Sequence, residues 1–174
     1  MTLRVDALAA AAEWIGIVER TAKDTEGLVA TVGKVQVEPN AGNVIPGQVL
    51  VSLDVRHASE HICGQAMAKF LRQATEIAER RRAQVLFEFL LSQPPVKMDE
   101  KLVSVLTKVA RYQMTSGAGH DAMIVAEKVP SAMLFLRSPG GISHHPDESV
   151  LVEDVAAALD AGSRAIQLLR ESYA

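Results

Sequence analysis

Three polar clusters in this sequence could do chemistry. The first is Gly140-Gly141-Ile142-Ser143-His144-His145-Pro146-Asp147-Glu148, which closely follows the apolar run Met133-Leu134-Phe135-Leu136. Neutral imidazoles at His144 and His145 suit a borderline metal ion, and Asp147 and Glu148 can add oxygen ligands or orient an imidazole. The two glycines let backbone approach a ligand closely. A polar surface loop that caps the last helix explains the same residues. One loop does not complete a catalytic zinc site, which takes three protein ligands, and a two-metal site takes more. The other histidines are His57, His61 and His120. His57 and His61 straddle a strand end and a helix start, so their spacing does not make a metal pair.

The second cluster is Ser116-Gly117-Ala118-Gly119-His120-Asp121. From Gly117 to Ala122 it fits G-x-G-x-x-A, but a helix precedes it where a dinucleotide fingerprint needs a strand. Ser116, His120 and Asp121 are no triad by adjacency, because triads draw on distant residues. A flexible loop with an N-cap aspartate is the plain reading. The third cluster is Asn43 with Arg56, at opposite ends of a strand. An arginine offers a planar fork to a carboxylate, and an asparagine both donates and accepts. The plain alternative is a turn asparagine and a surface arginine. Cys63 lies early in a helix with no histidine on its face, and reads as a core cysteine.

These residues need elements to hold them. Leu8, Ala11, Ala12, Ile15 and Val18 form one apolar stripe, which predicts a helix over 3–20. Strands are expected at 28–38 and 48–57. In the second, Val49, Val51, Leu53 and Val55 share a face, and Ser52, Asp54 and Arg56 lie on the other. The connection 39–47 is longer than a tight hairpin needs. A helix over 60–82 starts at Ser59 and ends in Arg80-Arg81-Arg82. A strand at 84–91 follows. The order α-β-β-α-β is that of a βαββαβ, ferredoxin-like sandwich lacking its first strand. Gln93-Pro94-Pro95 marks a boundary, which divides the chain into 1–94 and 95–174. Beyond it come a helix at 99–113, a short helix at 122–128, a buried strand at 133–136 and a helix at 152–171. That order suggests a piece of an α/β layer.

Composition narrows the function classes. The 174 residues carry a formal net charge of −3, with 48% hydrophobic and 22% charged residues. That is the make-up of a globular protein and gives no general pull towards nucleic acid or membrane. The basic helix end at Arg80–Arg82 reads as solvated, because strands 28–38 and 48–57 carry no aromatic residue on which a base could stack. No apolar run reaches the length of a membrane span, and Met1-Thr2-Leu3-Arg4-Val5-Asp6 does not read as a signal peptide. The single cysteine fits a reducing compartment and hence the cytoplasm.

Four stretches, in order, resemble the M20-type metallo-amidohydrolases, the group of allantoate amidohydrolase, N-carbamoyl-L-amino acid hydrolase and β-alanine synthase. They are Leu3-Arg4-Val5-Asp6-Ala7-Leu8, Gly42–Gly47 through Leu53-Asp54-Val55-Arg56-His57, Ser116–Ala122, and Gly140–Glu148. The resemblance implies an α/β chain with two parts. Residues 1–94 would be an incomplete α+β lid and dimerisation domain, and 95–174 the C-terminal segment of a zinc-peptidase-like catalytic domain. It implies that Asn43 and Arg56 hold the substrate carboxylate. Gly119, His120, Gly140 and Gly141 would line the pocket, and His144 would ligate metal. The activity implied is hydrolysis of a ureido C–N bond with two divalent ions, zinc or manganese. The general base and most metal ligands of that family have no counterpart here, so this chain alone would lack a full site. The implied partners are a small carboxylate-bearing ureido substrate and a second copy of the chain, as a homodimer or other homo-oligomer. A non-catalytic, self-associating module is the alternative.

Overall fold

The computed structural model describes residues 4–142 and 145–172. It is an α/β chain that divides into two compact units, Met1–Pro95 and Val96–Ala174. No helix among the described residues is long and apolar enough to cross a membrane.

In the first unit, α1 (Ala7–Asp24) begins where the carboxylate of Asp6 accepts the N–H of Ala9 at 2.9 Å. The expected helix over 3–20 therefore sits four residues further on, because Asp6 is its cap and not part of its first turn. Helix α2 (Glu60–Arg81) follows Ser59 and ends as Arg82 turns left-handed at φ 58°. The backbone N–H groups of Arg82 and Ala83 fold back onto the carbonyls of Ala78 and Glu79 and close that end. The apolar stripes meet in a core of Trp14, Val18, Leu28, Ala66, Phe70 and Ile77. The buried indole Nε1–H of Trp14 donates to the Phe70 carbonyl at 2.9 Å. Arg80 and Arg81, expected on a solvated helix end, both donate to the carboxylate of Glu13 and so brace α2 against α1.

The expected strands 28–38 and 48–57 each break in two. They become β1 (Val29–Thr31), β2 (Val35–Glu38), β3 (Gln48–Val51) and β4 (Asp54–Arg56). All pairing is antiparallel, β1 with β4 from Val29↔Arg56 and β2 with β3 from Val35↔Val51. Between the two ladders, residues 32–34 lie opposite only 52 and 53, so one extra residue is accommodated on the first side. This is a β-bulge, and Gly33 sits within it. The Ser52 N–H donates to the Lys34 carbonyl at 3.0 Å and holds the two halves in one ribbon. Ala30, Val32, Val51, Leu53 and Val55 face the core.

Residues 84–91 form no strand, contrary to the sequence expectation. A strand is completed by a neighbour that takes its backbone hydrogen bonds, and none of the described strands pairs with this run. The run stays open, with Leu86 95% and Leu90 83% exposed.

The second unit is helical among its described residues. Helix α3 (Glu100–Leu106) is capped by Asp99, whose carboxylate accepts from Leu102 N–H at 2.9 Å. It is shorter than the expected 99–113. Helix α4 spans Asp121–Ala126 and α5 spans Val152–Ser172, packed against α3. Val105 and Ala165 are buried. Met133–Leu136 forms no strand either, for the same want of a pairing partner among the described residues.

Candidate functional site

Strand alternation places Asp54 and Arg56 on the same face of β4, away from the core. Arg56 Nε donates to Asp54 Oδ1 at 2.7 Å and Nη2 to Oδ2 at 3.0 Å, a side-on fork between two half-exposed side chains. The Asp54 carboxylate, by hydrogen bond and by charge, raises the guanidinium pKa above its ordinary value, so Arg56 stays cationic.

His57 fixes the end of this strand. Its Nδ1 accepts the Ser59 N–H at 2.8 Å, so the proton sits on Nε2, which donates to the Glu26 carbonyl at 3.1 Å. Gly27 lies beneath the ring at φ +74°, where a Cβ would come within 3.2 Å of Nε2. Both ring nitrogens are thus engaged, and His57 is a staple between the α1–β1 and β4–α2 connections. The Sγ of Cys63 lies 3.7 Å from the Val55 carbonyl, and burial, Asp54 and Glu60 push its thiol pKa up, as befits an unreactive cysteine.

Asn43 is exposed in the turn that the Val44 N–H closes onto the Ala41 carbonyl at 3.2 Å. The structure does not bring it to Arg56. The Ala7 N–H donates to Pro46 O at 3.1 Å, which ties the 39–47 connection to the start of α1. Arg56 pairs with Val29, just past the end of α1. The 18 residues of α1 rise about 27 Å, and the strand from Gln48 to Arg56 rises about 26 Å. Both rulers separate Asn43 from Arg56 by on the order of 20 Å. Within a single copy, the connection that carries Asn43 and the end of β4 that carries Arg56 thus lie at opposite ends of the ribbon.

In the second unit, His120 occupies the N-cap of α4 without a side-chain capping bond, and Asp121, expected as the cap, falls in the first turn. The His120 ring meets the edge of Phe135 at 6.3 Å between centroids and 62° between planes. Gly119 sits just before it, where a Cβ would lie 3.8 Å from the Met123 sulfur. Ser116 Oγ donates to the Ala118 carbonyl at 2.9 Å, which tightens the glycine loop on itself and leaves no triad. Beyond Phe135 the chain makes a short 3-10 turn at Pro139–Gly141, with Gly140 at φ +72° and Gly141 at φ +67°. Those values suit glycine and few other residues. Arg137 anchors the start of this turn, since its Nε donates to Asp154 Oδ1 in the first turn of α5 at 2.9 Å.

His144, the expected metal ligand, lies outside the described residues together with Ser143. His145 Nδ1 accepts the Asp147 N–H at 3.2 Å. Among the described residues no group of three or more His, Cys, Asp or Glu side chains is gathered to hold a metal ion. The donors described do not fit a two-metal centre. Sequence reasoning passed over Asp54, although its place two residues before Arg56 on the polar face was the signal for the fork.

The family model described as peptidase family M20/M25/M40 matches residues 4–168. Allantoate amidohydrolase of Bacillus subtilis (strain 168) is 34% identical over 173 residues, which cover 95% of this chain and 41% of that protein. N-carbamoyl-L-amino acid amidohydrolase of Geobacillus stearothermophilus is 33% identical over 92% of this chain and 41% of its own. Among solved structures, a hydantoinase/carbamoylase-family amidase from Burkholderia multivorans superposes with a TM-score of 0.89 at 32% identity, covering 95% of this chain and 42% of that one. The chain thus spans about two fifths of the length of the curated relatives it matches.

Proposed function

The chain belongs to peptidase family M20/M25/M40, and on that premise we propose that it is the substrate-positioning part of an amidohydrolase that cleaves a ureido C–N bond. The substrate is allantoate or an N-carbamoyl amino acid. One observation carries this reading: a single likeness runs through 95% of the chain, at 34% identity, to an allantoate amidohydrolase. The same stretch is similar to an N-carbamoyl-L-amino acid amidohydrolase. Water adds across the carbamoyl C–N bond, the amine leaves, and the carbamoyl group departs as ammonia and carbon dioxide.

In this reading residues 1–94 are the lid and dimerisation domain, and 95–174 the C-terminal segment of the catalytic domain. Arg56 supplies the cation that pairs with the substrate carboxylate, and its fork on β4 supports that role. Asn43 serves a different bound substrate molecule from the Arg56 of its own chain, because the ribbon separates them; a homodimer or other homo-oligomer follows. Gly119, His120, Gly140 and Gly141 line the pocket. The ring contact of His120 with Phe135 and the left-handed glycines support this. His144 is a donor to one of two divalent ions, zinc or manganese. The described donors do not make that centre, so the general base and the other ligands belong to polypeptide equivalent to the rest of the relatives' length. The protein acts in the cytoplasm, in line with its single cysteine.

Substrate scope tests the reading. The enzyme containing this chain, loaded with Mn²⁺ or Zn²⁺, is expected to release ammonia from ureido acids and to leave an unmodified dipeptide intact. Cleavage of the dipeptide with no ammonia from any ureido acid would sink it. The exposed apolar run Leu86–Leu91 favours a second reading, a self-associating module without activity, and that reading predicts no ammonia from any of these substrates.

A further inference from the structure

We propose that Asp54 is the positioning residue that sets the orientation of the Arg56 guanidinium, and through it the preference for a carboxylate-bearing substrate. The inference rests on the proposed role of Arg56 and deepens it. A lone arginine at the end of a short strand has several rotatable bonds, and a ligand that binds it must pay to immobilise them. Here that ordering is built in. Asp54 and Arg56 project from the same face of a strand of three residues, and both oxygens of Asp54 are used, on Nε at 2.7 Å and on Nη2 at 3.0 Å. Two parallel bonds fix the guanidinium plane as well as its position, which one bond would not do. The backbone beneath is fixed in turn, by the Val29↔Arg56 pairing on one side and by the His57 contacts to Ser59 and Glu26 on the other.

The pair is half-exposed, so its contribution lies in orientation and not in fold stability. Asp54 also brings a negative charge to the place where a carboxylate is to be bound. A residue retained only to attract the substrate would not be accompanied by its own electrostatic competitor. The arrangement makes sense if geometry outweighs net charge: a planar anion aligned with the ordered guanidinium is accepted, and a neutral carboxamide gains nothing from it.

Steady-state kinetics of the metal-loaded, full-length enzyme separate the possibilities. Asp54→Asn and Asp54→Ala are expected to raise KM for the carboxylate substrate about fivefold, with kcat held within about twofold. Asp54→Glu is expected to recover part of the loss. KM for the corresponding carboxamide should not respond to any Asp54 change, whereas a general loss of structure would move both substrates and lower the melting temperature. An unchanged or lowered KM for the carboxylate in Asp54→Asn, with Arg56→Ala still raising it, would overturn the inference and make Asp54 a spectator or a competitor. If Arg56→Ala itself leaves that KM unchanged, the proposed role of Arg56 fails, which is a separate result.

Discussion

At the scale of single residues, the left-handed glycines give the sharpest expectations. Gly27 combines φ +74° with a would-be Cβ contact of 3.2 Å to His57 Nε2, whereas Gly141 has φ +67° and nothing within 4 Å. Gly141→Ala should therefore cost only the conformational penalty, about 1–2 kcal/mol. Gly27→Ala should cost more, because the His57 ring must also leave the Glu26 carbonyl. Urea denaturation of the two variants checks the order; equal losses would show that the contact with His57 does not matter. Legibility differs from residue to residue for the same physical reason. Arg56 stands out in the sequence as a cation on the polar face of an alternating strand. That Asn43 lies far away depends on pairing and register, which residue types alone do not express.

At the scale of elements, the helix pair carries the first unit. Phe70 is fully buried and its carbonyl receives the Trp14 indole. Phe70→Ala should destabilise by about 3–5 kcal/mol and Trp14→Phe by about 1–2 kcal/mol, read from denaturation midpoints. Glu13 adds a pH signature. Hydrogen bonds from Arg80 and then Arg81 hold its carboxyl pKa below the ordinary value. The folded state thus takes up the proton at lower pH than the unfolded state does. The stabilisation is fully present above the ordinary carboxylate range and is lost as pH falls through the lowered value. Glu13→Gln should flatten that part of the acid limb of a stability–pH curve; an unaltered limb would show that the brace carries no weight. Helices α1, α2 and α5 were legible because each carries its own apolar period along the chain. The strands were legible only in part. The bulge at 32–34 answers to the opposite strand, and the runs 84–91 and 133–136 have strand-like composition but no neighbour to complete them among the described residues.

At the scale of the whole molecule, open apolar surface is the dominant feature. Leu86, Phe89, Leu90 and Leu91 lie exposed in one β-prone run, and Ile124, Val152, Leu159 and Ile166 are exposed in the second unit. Surfaces of this kind rarely stay free, and a β-prone apolar run is an aggregation hazard. This chain by itself should self-associate with rising concentration in light scattering, and Leu90→Lys should weaken the association; a concentration-independent monomer would contradict this. The central claim is that these residues position a ureido acid for polypeptide that completes the site. Ammonia release from allantoate and N-carbamoyl-L-amino acids tests it most directly, measured with Mn²⁺ or Zn²⁺ for this chain alone and for this chain joined to the remaining three fifths of an allantoate amidohydrolase, with His144→Ala in each. The account predicts no release by the chain alone, and release by the joined protein that His144→Ala abolishes. Release by the chain alone that His144→Ala abolishes, or by the joined protein regardless of His144, would contradict it.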